Sequence, residues 1–400
     1  MTSAFLKDLK DRGVIFQTTE RVEDLFNTQK VTAYQGFDAT SDSLHIGNLV
    51  GIMILRRLEK AGHQPIVLLG GATTLVGDPS DKDKERPLLD EETIRKNMDS
   101  LKKVFNVYLE NPIIVNNADW LKPMGYIEFL RDVGRYFSVN RMLSFEFVKN
   151  RLNNNKSFSF LEMNYMLIQG YDFYHLFKEY HCHLQIGGSE QWGNIINGVE
   201  LIHKTLGKEA HALTVPLITT ASGGKMGKTA EGKAIWLNAD KTNAYDFWQY
   251  FRNVDDRDVK KFFLIFTELS VDEIETVTRS DINEAKKRLA DEVTALLHGP
   301  HSLSTIHQTV AALFENKSGN IDSLPVIVID STDLQLIDAL VRGKVYSSRS
   351  EAKKGVLSGA IKIDEAKIID PLTPIAWRQN QILTVGKKHH YRIDLSHESI

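Results

Sequence analysis

The sequence predicts an α/β protein: a parallel-sheet domain, then an all-helical region, then a small α+β tail. Three observations carry this expectation. Short β-rich runs alternate with helix-length periodic segments between residues 31 and 219. Residues 243–316 read as helices with no convincing strand, and the tail shows two helical patches followed by short strands. Alternating strands and helices are the pattern of a parallel sheet, because each crossover lays a helix across a sheet face.

In chain order, residues 3–27 read as one or two helices flanking the first strand. Residues 31–37 form a β-rich run broken by Gly36, Asp38 and a Ser-Asp-Ser cluster. From Ile46 the apolar residues recur at helical spacing through Leu49, Met53 and Leu58, and a second strand is expected over 65–71. Strand, turn, helix and strand thus make one crossover unit. A Gly/Asp/Lys-rich loop follows, then a helix over 90–107 and a strand over 111–115. Helical patches between 125 and 151 lead to a longer helix over 160–180 and a strand over 183–186. Gly187-Gly188-Ser189 opens a helix from about Glu190 to Leu206, and 213–219 is a further strand. Gly223–Thr229 reads as a flexible basic loop, and the helical run ends at a break over 317–320. The tail has helical patches at 334–341 and 349–357 and strands around 360–363 and 382–385.

Four hundred residues suit two or three domains, and the 42% apolar and 25% charged fractions are those of a soluble globular chain. No apolar run approaches the ~18 residues of a membrane span. Residues 1–20 are charged throughout and lack a signal-peptide core, so a cytoplasmic location is expected. The single cysteine, Cys182, excludes an internal disulfide and a multi-cysteine metal site. Net charge is −3, yet residues 331–400 hold 11 Lys/Arg against 8 Asp/Glu. A basic tail on an acidic body is compatible with an RNA-binding appendage and equally with ordinary surface variation.

The turn after the first strand gathers Asp38, Thr40, His45 and Asn48. Hydrogen-bonding side chains at the start of a helix suit a polyphosphate, since the N-terminal N–H groups and helix dipole favour negative charge. Capping accounts for Thr40 or Ser43 alone, but not for the whole cluster. Tyr165, Gln169 and Asp172 share one helix face at i, i+4 and i+7, on a helix otherwise apolar nearly all round. Such a stripe needs partners, whether a small polar ligand or an internal network. Lys225 and Lys228 sit in a glycine-containing loop that is either a solvated surface loop or a clamp on polyphosphate. Neither the G-x-x-x-x-G-K-[ST] nor the G-x-G-x-x-G spacing is present, so neither a Walker loop nor a nicotinamide site is supported.

The His45–Asn48 turn (H-I-G-N) and the K-M-G-K-T loop resemble the H-I-G-H and K-M-S-K-S elements of class I aminoacyl-tRNA synthetases. YQGFDATSDSLHIGN, GGATTLVGDPS, LIQGYDF and QIGGSEQWGNI narrow the resemblance to the bacterial-type tyrosine branch of that family. DALVRGKVYSSRSEAKKGVLSGAIKI and LTVGKK resemble an S-four-like RNA-binding domain. The resemblance spans nearly the whole chain. It implies a Rossmann-like catalytic domain over 1–233, a helical anticodon-region domain over 234–320, a linker over 321–330 and the RNA-binding domain over 331–400.

The resemblance also implies the reaction: tyrosine is activated by ATP to tyrosyl-adenylate and passed to tRNA(Tyr), with Mg2+ carried by ATP, no permanent cofactor, and a homodimer. Tyr34 and Asp172 are expected at the substrate phenol. Asp78, Tyr165 and Gln169 are expected at its ammonium group, and Gln191 near its carboxylate. Thr40 and His45 fall to the ATP phosphates, Asp38, Gly47 and Asn48 to the nucleotide side, and Gly188 and Glu190 to the ribose. Lys225, Lys228 and Thr229, with Lys82 and Arg86, are expected on the departing pyrophosphate. Arg349, Lys353, Lys354, Lys387 and Lys388 are expected on RNA phosphates. Four positions depart from the usual pattern: Asn48 for a histidine, Gln35 for a cysteine, Gly227 for a serine and Glu190 for an aspartate. A tryptophan ligase of the same class, or a non-catalytic RNA-binding or regulatory protein on this scaffold, are the alternatives. Tyr34 and Asp172 favour a phenol over an indole, and intact His45, Lys225, Lys228 and Asp78 argue for catalysis.

Overall fold

The strand-turn-helix-strand unit read from residues 31–71 is the centre of a six-stranded sheet in the computed structural model of the chain. The structure describes residues 3–80, 89–221, 223–224, 226, 234–314, 320–331, 333–386 and 389–396, and for Phe314 the backbone alone. They form two compact units, Met1–Asn238 with Asp255–Ala285 and Ala239–Val254 with Lys286–Ile400.

In the first unit the strands are β1 (Gln17–Thr18), β2 (Thr32–Phe37), β3 (Gln64–Leu69), β4 (Ile113–Asn116), β5 (Cys182–Gly188) and β6 (His211–Val215). Their order is β1-β6-β5-β2-β3-β4, with all neighbours parallel except β1 on β6. Successive strands run outward from β2 through β3 to β4 and, on the other side, through β5 to β6. The direction of winding therefore changes between β2 and β5, and a crevice opens at their C-terminal ends, the usual ligand position of such sheets.

The crossovers fold as their sequences dictate. After β2, a short 3-10 turn over Ile46–Asn48 precedes the helix Leu49–Lys60, whose Leu49, Ile52, Met53, Leu55 and Leu58 are buried. Asp90 caps Glu91–Tyr108 through the Thr93 N–H. Ser159 and Glu162 form a reciprocal capping box at the start of Phe160–Tyr180. Both sheet faces are covered, which is why β3 from Pro65 and the whole of β6 are buried continuously rather than in alternation.

Residues 255–285 complete this unit. The helix Val259–Phe266, in which Phe262, Phe263 and Phe266 are buried, packs against Leu49–Lys60. Arg12 donates to the Leu264 and Leu269 carbonyls at 3.1 and 2.8 Å, and Arg57 to the Thr267 carbonyl at 2.8 Å. The helical region expected over 234–320 is therefore not one domain. Its aromatic middle belongs to the first unit, and residues 239–254 and the part after 285 belong to the second.

In the second unit, Trp248 Nε1 and His307 Nε2 both meet Asp291 Oδ1, at 2.7 and 2.8 Å, tying the helices Ala244–Arg252, Ile282–His298 and His301–Phe314. A five-stranded sheet follows, with β7 (Val326–Ile329), β8 (Ile361–Ile363), β9 (Ala366–Ile368), β10 (Ile382–Val385) and β11 (His389–Leu395) in the order β7-β11-β10-β8-β9. The helices Leu336–Arg342 and Arg349–Leu357 cover a core that includes Ile327, Ile329, Leu340, Val356 and Trp377. The linker expected over 321–330 is thus corrected. It contains β7, whose Ile327 and Ile329 are buried while Val326 and Val328 face outward. The strand expected over 213–219 ends at Val215, and the two-residue β1 was absent from the sequence reading.

Candidate active site

The crevice between β2 and β5 is a cavity of about 370 Å³. Tyr34, Asp38, Thr40, His45, Asn48, Asp78, Tyr165, Gln169, Asp172, Gly188, Glu190 and Gln191 all line it. Residues from four separate sequence stretches therefore converge, because strand ends, the first helical turn and one face of Phe160–Tyr180 meet at the winding change.

One end is closed. Tyr34 projects from β2 and is fully buried, and its hydroxyl has no hydrogen-bond partner among the described residues. Asp172, also buried, accepts from Asn117 Nδ2 at 2.9 Å on one oxygen and from Trp120 Nε1 at 2.8 Å on the other. The Trp120 ring is itself stacked on His175, with centroids 4.3 Å apart. Burial pushes the Asp172 carboxyl up to about 7; the Asn117 and Trp120 donors oppose that rise and the Asp38 charge adds to it. Burial, with Asp172 adding to it, holds the Tyr34 phenol well above its usual value, so it remains a proton donor. The closed end thus offers one unused phenol and one carboxylate to a hydroxyl-bearing ligand.

The middle is a chain of amides and carboxylates. Gln169 Nε2 donates to Gln191 Oε1 at 3.2 Å, and Gln191 Nε2 donates to Asp78 Oδ2 at 2.9 Å. Asp78 Oδ1 accepts the Ser80 N–H at 2.9 Å. Tyr165 donates to Asp38 Oδ2 at 3.3 Å, whose other oxygen accepts from Thr73 Oγ1 at 2.8 Å. The Oε1 atoms of Gln35, Gln169 and Gln185 are buried with no partner among the described residues. This stretch presents two carboxylates and several amide oxygens, a setting for a cationic ammonium group.

The other end is open. His45 is exposed and caps the turn: its Nδ1 accepts the Gly47 N–H at 3.0 Å. A backbone N–H can only donate, so the ring proton sits on Nε2, which makes that nitrogen a donor. Asn48 Oδ1 accepts the His45 N–H at 3.2 Å, which leaves the Asn48 amino group as the donating part of that side chain. Asparagine in place of histidine therefore keeps a donor here. Across the cleft, a Cβ on Gly188 would lie 2.2 Å from a Glu190 carboxylate oxygen, so a larger residue there would displace the Glu190 carboxylate. The segment leading out of the basic loop is stitched to the same turn: Ile46 N–H donates to the Ile235 carbonyl at 3.0 Å and Leu237 N–H to the Leu44 carbonyl at 2.8 Å. Trp236, between them, joins the cavity lining.

Lys82, Arg86, Lys225, Lys228, Thr229, Lys387 and Lys388 lie outside the described residues. Arg349, Lys353 and Lys354 are exposed on the helix Arg349–Leu357 of the second unit. Sequence reasoning missed Asn117, Trp120, Thr73, Gln185 and Trp236. For the first two a signal existed: an amide and an indole at i, i+3, both donors, directly after an apolar strand. Among the described residues, no group of three or more His, Cys, Asp or Glu could hold a metal ion.

The sequence profile described as tRNA synthetases class I (W and Y) matches residues 27–315, and that described as the Tyrosine--tRNA ligase SYY-like C-terminal domain matches 316–393. The chain is 46% identical over 408 residues to a tyrosine–tRNA ligase of Pelagibacter ubique, spanning 98% of this chain and 99% of that one. It is 48% identical over 408 residues to the tyrosine–tRNA ligase of Agrobacterium fabrum, spanning 97% of each. Among solved structures, a C-terminally truncated mitochondrial tyrosyl-tRNA synthetase of Aspergillus nidulans matches with a TM-score of 0.69 at 29% identity, over 78% of this chain and 94% of that one.

Proposed function

The chain belongs to the class I tRNA synthetases of the tryptophan and tyrosine group, and from that premise we propose that its crevice binds tyrosine at the closed end and ATP at the open end. The reaction is that of a tyrosine–tRNA ligase. The tyrosine carboxylate attacks the α-phosphorus of ATP, the bond to the bridging oxygen of the β-phosphate breaks, and pyrophosphate leaves. A ribose hydroxyl at the 3′ end of tRNA then attacks the carbonyl carbon of tyrosyl-adenylate, releasing AMP.

One observation carries the assignment of the closed end: a fully buried phenol without a partner among the described residues, lining the same cavity as a buried carboxylate. A buried polar group left unmade costs about 1–3 kcal/mol. A tyrosine hydroxyl that accepts from Tyr34 and donates to Asp172 removes that cost, whereas phenylalanine keeps it. In this reading Asp78, Tyr165 and Gln169 take the ammonium group, Gln191 lies near the carboxylate, and Asp38, bonded to Tyr165, stands on the nucleotide side. His45 Nε2–H and the Asn48 amino group donate to phosphate oxygens, with Thr40 beside them, and Gly188 and Glu190 meet the ribose. Such donors act where charge accumulates in the transition state, so their contribution falls on the rate of adenylate formation. Lys82, Arg86, Lys225, Lys228 and Thr229 serve the departing pyrophosphate. Mg2+ arrives with ATP, held by phosphate and water oxygens. Asp38 suits that arrangement, since both its oxygens already accept from Thr73 and Tyr165.

Exposed Tyr126, Ile127, Val139 and Phe160 are apolar surface that a second copy of the chain would cover, giving a homodimer. Arg349, Lys353 and Lys354, with Lys387 and Lys388, contact tRNA phosphates. No helix among the described residues is long and apolar enough to cross a membrane, and the working location is the cytoplasm. The test is amino-acid-dependent ATP–pyrophosphate exchange with tyrosine, phenylalanine and tryptophan, without tRNA. Exchange with tyrosine alone is expected. Exchange with tryptophan instead overturns the closed-end assignment, and exchange with none of the three overturns the activity.

A further inference from the structure

Between the two ends of the crevice runs a continuous hydrogen-bond relay, buried from Asp172 to Thr73 and half-buried at Asp38. Asn117 is fully buried, and its Oδ1 accepts the Ala72 N–H at 2.8 Å. That bond fixes which way the amide points, so its amino group faces two acceptors: Asp172 Oδ2 at 2.9 Å and Thr73 Oγ1 at 3.0 Å. Thr73, also buried, passes its single hydroxyl hydrogen to Asp38 Oδ1 at 2.8 Å. The polarity of this relay is forced. When ionised, both carboxylates can only accept, a backbone N–H can only donate, and the hydroxyl has one hydrogen to give. Turning any member leaves a buried donor or acceptor without its partner, at about 1–3 kcal/mol. The space is tailored as well: a Cβ on Gly70 would lie 2.2 Å from Asp38 Oδ1 and 2.4 Å from Thr73 Oγ1.

We propose that Thr73 is a positioning residue that couples the two half-sites, transmitting the orientation of Asp172 at the phenol end through Asn117 to Asp38 at the nucleotide end. The proposal rests on the assignment of tyrosine and ATP to those ends. A phenol donating to Asp172 competes with Asn117 and Trp120 for the same two oxygens. Asp172 then reorients, the Asn117 amino group follows, and the Thr73 hydroxyl resets the Asp38 carboxylate. Each end therefore responds to the other with no backbone movement. By linkage the effect is reciprocal.

The coupling is measured with tyrosinol, which keeps the phenol and ammonium group but has no carboxylate to attack ATP. The Kd of ATP is determined by calorimetry with and without saturating tyrosinol, in the wild-type chain, Thr73→Val and Thr73→Ser, with thermal melts confirming that each is folded. In the wild type the two Kd values are expected to differ by about fivefold or more, the low end of ordinary coupling. Thr73→Val keeps the shape and removes the hydroxyl, and should bring the ratio to unity; Thr73→Ser restores the hydroxyl and should restore the ratio. A wild-type ratio of one, an unchanged ratio in Thr73→Val, or no rescue by serine overturns the relay while leaving the ligand assignment standing. Failure of the wild-type chain to bind tyrosinol overturns both.

Discussion

The two ends of the crevice solve opposite problems. At the closed end, Tyr34 and Asp172 are withdrawn from water, and the carboxylate is held by two donors before any ligand arrives. At the open end, His45 and Thr40 are exposed, and the His45 ring accepts the Gly47 N–H of its own turn. Burial makes each polar atom at the closed end costly to leave unpaired, which suits discrimination between ligands differing by one hydroxyl. Exposure makes each contact at the open end weak in the ground state, which suits groups whose value lies in the transition state. The difference teaches that selectivity and rate can be assigned to separate regions of one cavity, joined only through the Asn117–Thr73 relay.

The largest departure from that division should follow Asp172→Ala. It strands the donors of Asn117, Trp120 and the substrate phenol together, and kcat/KM for tyrosine in pyrophosphate exchange should fall by roughly a thousandfold. His45→Ala removes one donor at the open end, so the single-turnover rate of adenylate formation should fall by about a hundredfold, with tyrosine affinity little changed. A smaller effect concerns pH. Asp172 protonates as the pH falls through about 7, so kcat/KM for tyrosine should decline below that pH by about tenfold per unit. Trp120→Phe removes a donor that holds this carboxyl down, and the decline should begin at a higher pH in a pH–rate profile. The smallest effect is expected from Tyr34→Phe, which loses one neutral hydrogen bond. About five- to tenfold in kcat/KM for tyrosine should be lost, with little change for phenylalanine, narrowing the discrimination between them.

The open end was largely legible in the sequence, and the closed end only in part. Asp38, Thr40, His45 and Asn48 are neighbours along one turn, so their convergence is local and periodicity brings it out. Tyr165, Gln169 and Asp172 were equally visible as one helix face. Asn117 and Trp120 come from the end of β4, some fifty residues before Asp172, and only the strand order brings them to its two oxygens. Thr73 was hidden for a similar reason, since its partners Asp38 and Asn117 lie on different strand ends. The fold behaved likewise. Phe160–Tyr180 and Arg349–Leu357 were read to the residue because periodicity and caps mark them. β7 reads as linker in the sequence because a run of four apolar residues shows no periodicity; its pairing with β11 is what makes it a strand. The helical run after 243 carried no sign that Val259–Phe266 packs on the first unit, since that depends on the face presented by Leu49–Lys60.

The division between the two ends is tested most directly by rapid-quench measurement of the tyrosine Kd, the ATP Kd and the rate of adenylate formation in Asp172→Ala and His45→Ala. Asp172→Ala should raise the tyrosine Kd by about a hundredfold or more, while the ATP Kd measured without tyrosine stays within about threefold. In line with that division, His45→Ala should lower the rate with both Kd values nearly intact. Equal losses of tyrosine and ATP binding in folded Asp172→Ala, or a loss of tyrosine binding in His45→Ala, would contradict it.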